Sequence, residues 1–365
     1  MNKIFWIGAR KSDIANEKLI FGSITRYGDN CNHNFAFCQN DFTDVYDDFL
    51  KITLNELLQK FPDCELLFAN ELYAYQFGQN VFKHSICVNK VSIIESLNDK
   101  IFFRQLINKI ADVPPSIIIN LYNGTDYDFI RNIFNDQYTD FVLQIKDSAG
   151  GKGSLLIGDN SSNKKISALS SPVLITPYIS NAIPINTHIA ISKDDIRIFP
   201  PSIQLIYNKL NYCGADFIKY THLDKCIKKN IIDQCYNVAK KIKKLGAIGI
   251  FGIDLLLKEN QLYFIECNFR YQGSSFVLNE GLVNNNLPSL FKIRYDCFYN
   301  SISHIPFDVY DLNINYSSFR RTLKTQHIEL PTPVISKIEH HTPESRLCNG
   351  YVGYELFDES IHHLF

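Results

Sequence analysis

The chain has 365 residues, 45% of them hydrophobic and 21% charged, with a formal net charge of −1. That length supports two or three domains with a substantial core, and the composition is that of an ordinary globular protein. The balanced charge excludes a global electrostatic pull toward nucleic acid or an anionic membrane, and neither a secretory signal nor a run near the ~18–20 apolar residues of a membrane span is expected, so a cytoplasmic protein is.

Residues 3–7 (KIFWI) read as an opening strand, with Gly8 and Arg10 at the start of the following loop. Residues 66–69 (LLFA) read as a second strand and 86–88 as a short third. Between the first two, Val45, Phe49, Ile52 and Leu57 recur at helical spacing. This alternation predicts an open α/β domain. Asn98 is the expected N-cap of the next helix, with Asp99 in its first turn and Pro114 and Pro115 past its end. A β-rich unit follows, with strands over 116–120, 141–146, 154–157 and 173–176. Strands over 187–192, 196–199 and 203–206 then lead to an amphipathic helix over 230–245, stopped by Gly246. A hairpin over 248–268 closes the readable part. The expected division is 1–95, an N-terminal α/β domain; 96–176, a linker helix and β-rich lid; 177–300, a body carrying the hairpin; and 301–365, a segment completing the body or an acceptor pocket.

The ten cysteines are scattered and form no CxxC pair, which reads as reduced, buried thiols. Cys31, His33 and Cys38 lack a fourth ligand and fit no common zinc spacing, so no zinc site is expected there.

Two stretches carry chemistry. In residues 141–153 (FVLQIKDSAGGKG), strand alternation puts Lys146 on one face with Gln144 and Val142. Gly150, Gly151 and Gly153 then permit close approach of backbone N–H groups to an anion, with Lys152 as a second cation. GxxxxGK[ST] is absent, so this is not a Walker loop. Taken alone, the segment reads equally as a phosphate cradle or as a glycine-rich hairpin turn with solvated lysines.

In residues 248–275, Asp254 lies in one apolar strand, and Glu266 and Asn268 lie in the next. A turn centred near Asn260 places Asp254 across from Glu266, with Asn268 one step along the same face. Two carboxylates facing each other among apolar neighbours are unstable without a cation. Oxygen-only ligands favour Mg²⁺ or Mn²⁺. Arg270 follows on the same side, suited to a phosphoryl or tetrahedral charge, and Gly273, Ser274 and Ser275 form a candidate anion-binding turn. The plainer alternative is a surface hairpin of ion pairs.

The lysine strand with its glycine loop, followed by G-I-D-L and E-C-N-F-R, resembles the ATP-grasp superfamily, in its carboxylate-amine ligase or biotin-carboxylase-like branch. Asn98-Asp99-Lys100 before a helix ending in Val-Pro-Pro, the crossover LITPYI and Ser202-Ile203-Gln204 add to the resemblance, which covers roughly residues 85–300. It implies an α/β (α+β) ATP-grasp fold with an N-terminal open α/β domain and a β-rich lid. It implies that Lys100, Lys146, Gly150, Gly151, Lys152 and Gly153 hold ATP phosphates, and that Thr176, Pro177, Tyr178 and Ile179 meet the adenine. Asp254, Glu266 and Asn268 would ligate Mg²⁺ (or Mn²⁺). Arg270 and Lys146 would serve the acyl-phosphate step, and Arg270, Gly273, Ser274 and Ser275 would face the substrate. The crossover of the family usually carries a glutamate where Thr176 stands, which puts the ribose contacts in doubt.

The implied reaction activates a carboxylate as an acyl phosphate and joins it to an amine of amino-acid or peptide type, releasing ADP and phosphate. The partners are then small-molecule acid and amine, with no nucleic acid and no membrane, and a homodimer by analogy with relatives. The alternatives are a bicarbonate-activating, carboxylase-like enzyme and a catalytically silent ATP-binding regulator. Arg10 is a weaker substrate candidate. Residues 332–346 are a candidate cover loop, and His340, His341, His362 and His363 read as surface histidines.

Overall fold

The computed structural model describes residues 2–10, 12–14, 17–27, 35–38, 46–121, 125–145, 153–170, 172–322, 328–329, 334, 336–338 and 351–365. Elements are numbered along those residues.

The chain opens with a parallel four-stranded sheet. Its strands are β1 (Ile4–Arg10), β2 (Ile20–Tyr27), β3 (Phe35–Cys38) and β4 (Glu65–Phe68), in the order β3-β2-β1-β4. Helix α1 (Tyr46–Lys60) crosses between the last two. A parallel sheet covered on both faces needs apolar residues on both. Strand β1 supplies them: Phe5 and Ile7 pack against Leu50, Leu54 and Leu57 of α1, and Ile4 and Trp6 join the core of the following body. Residues 86–88, expected as a strand, are not one. Only an isolated bridge from Leu66 to Ser85 forms, and Cys87, at φ 55, turns the chain out of the extended conformation.

Short helices α2 (Leu72–Gln76) and α3 (Gln79–His84) lead to α4 (Val91–Asn98) and α5 (Lys100–Ile107). The cap of α5 is one residue later than expected. Asp99 accepts from the N–H groups of Ile101 and Phe102, which also suits the helix dipole. Asn98 ends α4, and its side chain accepts from Phe269 N–H at 2.9 Å.

An antiparallel four-stranded sheet follows. It contains β5 (Ile117–Ile119), β6 (Phe141–Ile145), β7 (Ser154–Ile157) and β8 (Val173–Pro177), ordered β5-β8-β6-β7. Helices α6 (Tyr127–Ile133) and α7 (Asn163–Ile166) belong to the same unit, whose core gathers Tyr127, Ile130, Phe141, Leu143 and Ile175.

The third sheet is the largest. It holds β9 (Ile183–Ile191), β10 (Ile196–Ile198), β11 (Ser202–Tyr207) and β12 (Asn211–Asp216), then, after α8 (Phe217–Thr221) and α9 (Lys225–Lys244), the hairpin β13 (Gly249–Lys258) and β14 (Gln261–Asn268). Helix α9 starts five residues before the expected boundary because Asp224 caps it through Cys226 N–H. Helices α10 (Ser275–Asn284) and α11 (Leu290–Tyr299) precede β15 (Ser317–Thr322), β16 (Ser336–Ile338) and β17 (Tyr351–Phe357). The order is β14-β13-β9-β11-β12-β15-β17-β16, with β10 on β9, so the C-terminal strands extend the hairpin's own sheet.

A buried ionic group ties the first sheet to this body. Arg294 of α11 donates to the Phe68 and Cys87 carbonyls and pairs with Glu71 at 3.1 Å, while Glu71 also accepts from the backbone and side chain of Asn89. Nearby, Tyr271 N–H donates to Ala69 O, and the Tyr271 ring meets Trp6 edge-on at 4.9 Å. These contacts hold the C-terminal ends of β1 and β4 against the exit of the hairpin. Among the described residues, no helix is long and apolar enough to cross a membrane.

Candidate active site

The hairpin β13–β14 has a two-residue turn, Glu259 and Asn260, and Glu259 takes the left-handed φ of 56 that such a turn requires. Regular pairing from that turn would set Asp254 against Ile265. Instead the register shifts after Leu255, and Asp254 pairs with Glu266. Ile265 is the extra residue of a β-bulge. Its carbonyl accepts from Arg104 Nε at 3.0 Å.

The side chains of Asp254, Glu266 and Asn268 therefore converge. Asn268 Nδ2 donates to Asp254 Oδ2 at 2.9 Å and to Glu266 Oε1 at 3.2 Å. Asp254 Oδ1 accepts from Asn186 Nδ2 at 2.6 Å and from Gln204 Nε2 at 3.1 Å. Glu266 pairs with Lys100 Nζ, the first residue of α5, at 3.3 Å. Burial, and then the neighbouring Glu266 carboxylate, push Asp254 up to about 7. Burial also acts to raise Glu266, but Lys100 and Arg270 outweigh it and hold its carboxyl below its ordinary value. The site thus carries one carboxylate readily and a second only against desolvation, a deficit a cation would fill.

The donor set suits a hard cation: two carboxylates, plus an amide whose oxygen faces the same point after a half-turn of the Asn268 side chain. Among the described residues no group of three or more His, Cys, Asp or Glu side chains is poised for a metal. A cation held by Asp254, Glu266 and Asn268 would need further oxygens from a ligand, as nucleotide phosphates provide.

These residues form one wall of a cavity of about 910 Å³, a size ordinary for a small-molecule site. The facing wall is the lid sheet, through Val142 and Gln144 of β6, Thr176 and Pro177 of β8, and Tyr178 and Ile179 beyond it. Lys100 and Arg104, one turn apart on α5, form the floor. Arg104 is buried and donates to Thr176 Oγ1 at 3.1 Å and to Gln144 Oε1 at 3.2 Å as well as to Ile265. Burial lowers its pKa to about 10, with Glu266 acting the other way, so it stays charged at neutral pH.

The far end of the cavity is lined by Arg270, Gly273, Ser274, Tyr212, Arg320, His362 and Phe365. Asn186 links the two ends: its Nδ2 also reaches Gln272 Oε1 at 2.7 Å, and its Oδ1 accepts from Ser274 Oγ at 3.1 Å. The Gln272 amide lies over Gly252, where a Cβ would stand 1.4 Å from Nε2. Gly273 admits the Tyr212 ring in the same way, with 2.5 Å to a Cβ. Arg10 lines the cavity, but its guanidinium is engaged by Asp13 at 3.0 Å and by the Gln272 and Gly273 carbonyls, so it buttresses the 272–273 turn.

The structure thus brings Lys100, Thr176, Pro177, Tyr178, Ile179, Asp254, Glu266, Asn268, Arg270, Gly273 and Ser274 to one cleft. Ser275 does not line it: its Oγ turns inward, accepting from Gln272 N–H at 2.7 Å and meeting His188 Nε2 at 2.9 Å. Gly153 closes the β6–β7 hairpin, at φ 72, by accepting from Ile145 N–H, and is not a lining residue. Lys146, Gly150, Gly151 and Lys152 lie outside the described residues, as do His340, His341 and nearly all of the expected cover loop. Cys31 and His33 also fall outside them. Arg104, Asn186, Tyr212 and Arg320 escaped the sequence reading. A signal existed for two of them: Arg104 follows Lys100 by four on an otherwise apolar helix face, and Asn186 interrupts an apolar strand.

Residues 97–274 match the sequence profile of the ATP-grasp domain. No curated protein sequence matches the chain. Among solved structures, it is similar to a biotin carboxylase–β,γ-ATP complex from Campylobacter jejuni, at 14% identity and a TM-score of 0.70, over 98% of this chain and 87% of that one. It is also similar to the biotin carboxylase domain of 2-oxoglutarate carboxylase from Hydrogenobacter thermophilus, solved with MgADP and bicarbonate (14% identity, TM-score 0.68, 98% and 86% covered). A third is the L-amino acid ligase from Bacillus licheniformis (11%, 0.60, 97% and 93%). At these identities the likeness concerns the fold.

Proposed function

Residues 97–274 are an ATP-grasp domain on a chain with the ATP-grasp fold throughout, and from that premise we propose that the protein is an ADP-forming ligase. It activates a small-molecule carboxylate with ATP and transfers the acyl group to an amine. The observation that carries this reading is the half-buried Asp254–Glu266–Asn268 cluster, paired with Lys100 and facing the lid sheet across one cavity.

In this reading Asp254, Glu266 and Asn268 hold Mg²⁺, which supplies charge neutralisation at the phosphates when bound. Lys100, now spent on Glu266, is placed to turn to phosphate oxygens once a cation takes over the carboxylates. Val142, Ile179, Leu255 and Ile265 give the base an apolar slot. A carboxylate oxygen of the acid forms the bond to the γ-phosphorus as the bond to ADP breaks, and the amine then displaces phosphate from the acyl carbon. Arg270 stands beside the metal cluster, where it orients the acid and offsets charge on the transferring group. The lid sheet and the far wall exclude water from an intermediate that water would hydrolyse. The glycine loop with Lys146 is assigned to the phosphates on the resemblance alone.

ADP release, coupled to an optical readout and run over a panel of acids and amines with bicarbonate included, tests the proposal. Turnover that needs both an organic acid and an amine is the expected result. Turnover with bicarbonate as the sole acid would move the protein to the carboxylating branch, a reading favoured by the similarity to biotin carboxylases. ATP binding without turnover on any pair would leave a regulator.

A further inference from the structure

The base slot has an unusual floor. Thr176 Oγ1 and Gln144 Oε1 both accept hydrogen bonds from the Arg104 guanidinium, at 3.1 and 3.2 Å. Arginine has donors only, so this contact dictates the direction of everything above it. The Thr176 oxygen is occupied as an acceptor by Arg104, which turns its O–H away from the guanidinium, and the residue lines the cavity. The Gln144 amide is fixed with oxygen down and nitrogen up, and one Nε2 hydrogen reaches toward Ser154 Oγ at 3.4 Å, leaving the other. Thr176, Gln144 and Arg104 are each less than one-tenth exposed and all line the cavity. A buried guanidinium with three neutral partners (the third is Ile265 O) has thereby converted two ambivalent side chains into donors.

A floor of donors at the end of a flat apolar slot calls for an acceptor in the plane of the base. Pro177 and Ile179 line the slot, Tyr178 N–H being taken by Asp140 O at 2.8 Å, so the main chain there offers the Pro177 carbonyl and the Ile179 N–H, which suit the mixed N6–N1 edge of adenine. The acceptor on the opposite side of N6 is the ring nitrogen N7. We infer that the Thr176 hydroxyl reads N7 of the purine, with Gln144 flanking it and Arg104 as the positioning residue that orients both. This rests on the ATP reading above. It also accounts for the threonine in the crossover: a glutamate there would present acceptors and would bind Arg104 as an ion pair, leaving no donor for the base.

The test is calorimetric binding of ATP and 7-deaza-ATP, with Mg²⁺, to the full chain. The two nucleotides differ by replacement of N7 with C–H. The wild type is expected to bind ATP about tenfold more tightly, the loss of one polarised hydrogen bond. Thr176→Val is expected to weaken ATP to near the 7-deaza level and to leave 7-deaza-ATP almost unaffected. Thr176→Ser, which keeps the hydroxyl, retains the preference and guards against a folding defect in the valine variant. Equal affinity of the wild type for both nucleotides would overturn the inference while leaving the ATP assignment standing. So would a wild-type preference that persists undiminished in Thr176→Val, since the N7 donor would then lie elsewhere. Failure of ATP itself to bind removes the proposed function, and this contact with it.

Discussion

Asp254 and Glu266 stand opposite one another across β13 and β14 because Ile265 is bulged out of the pairing, and the bulge is held by Arg104 from outside the hairpin. The register of the carboxylate cluster is thus a tertiary property, and it has consequences for function and stability that point in opposite directions.

Asp254→Asn and Glu266→Gln keep the shape of the cluster and remove a charge. Magnesium-dependent turnover should fall by roughly 10²–10³-fold or more in each. Asp254→Asn should not melt below the wild type in metal-free buffer, because it removes a carboxyl that burial, and then the facing Glu266 carboxylate, push up to about 7. Parallel activity and melting measurements check this; an Asp254→Asn protein with full turnover would dissolve the metal assignment.

Gly252→Ala tests the link from Asp254 to the far pocket. The added methyl would occupy the place of the Gln272 amide, which can swing away because it ends a flexible side chain. Stability should change by less than about 1 kcal/mol, since alanine suits a strand interior no worse than glycine. Turnover should drop about tenfold or more as the Asn186–Gln272 hydrogen bond is lost and the 272–274 turn shifts. Unaltered steady-state kinetics would mean that Gln272 has no positioning role.

Arg294→Met leaves Glu71 buried without its partner. A loss of about 3–5 kcal/mol in urea unfolding is expected, as for a broken buried ion pair. Adding Glu71→Leu should recover a large part of that loss, because the uncompensated charge is then gone. A single variant as stable as the wild type would show that the staple between the first sheet and α11 contributes little.

His188 sets an acid-side slope. It is fully buried against Ser275, and burial followed by the Arg10 charge depress its pKa to about 3. Below about pH 6.5 the unfolded chain takes up a proton that the folded chain refuses until near pH 3, so stability is full above 6.5 and declines as pH falls toward 3. Between pH 7.5 and 5 this one group should cost about 2 kcal/mol. Unfolding midpoints of His188→Gln across that range should be correspondingly flatter than those of the wild type.

Several features were legible in the sequence for identifiable reasons. Period-two alternation and a short polar turn marked the hairpin, and acidic residues inside apolar strands marked it as a candidate site. Apolar spacing marked α1 and α9, and the helix starts failed by one residue at α5 and by five at α9, where the Asp99 and Asp224 side chains accept from the free N–H groups. Strands β2, β3, β12, β15, β16 and β17 were missed. The sequences of β2, β12 and β15 mix polar and small residues (IFGSITRY, NYCGAD and SSFRRT), and they are strands because adjacent strands supply their hydrogen bonds.

The sequence by itself determined a set of candidates for phosphate and metal, because two carboxylates inside apolar strands and lysines beside a glycine loop are the residue types that chemistry needs. It also determined the order of the units that carry them. Only the tertiary structure decided what those residues meet. Lys100 lies 166 positions from Glu266 in the chain, and Arg104 lies 72 from Thr176. Such pairs are chosen by how sheets and helices pack, not by local periodicity. The far wall, from Tyr212 to Phe365, exists because β15 joins β12 in the hairpin's sheet, an alignment set by backbone pairing that leaves no pattern in the side chains.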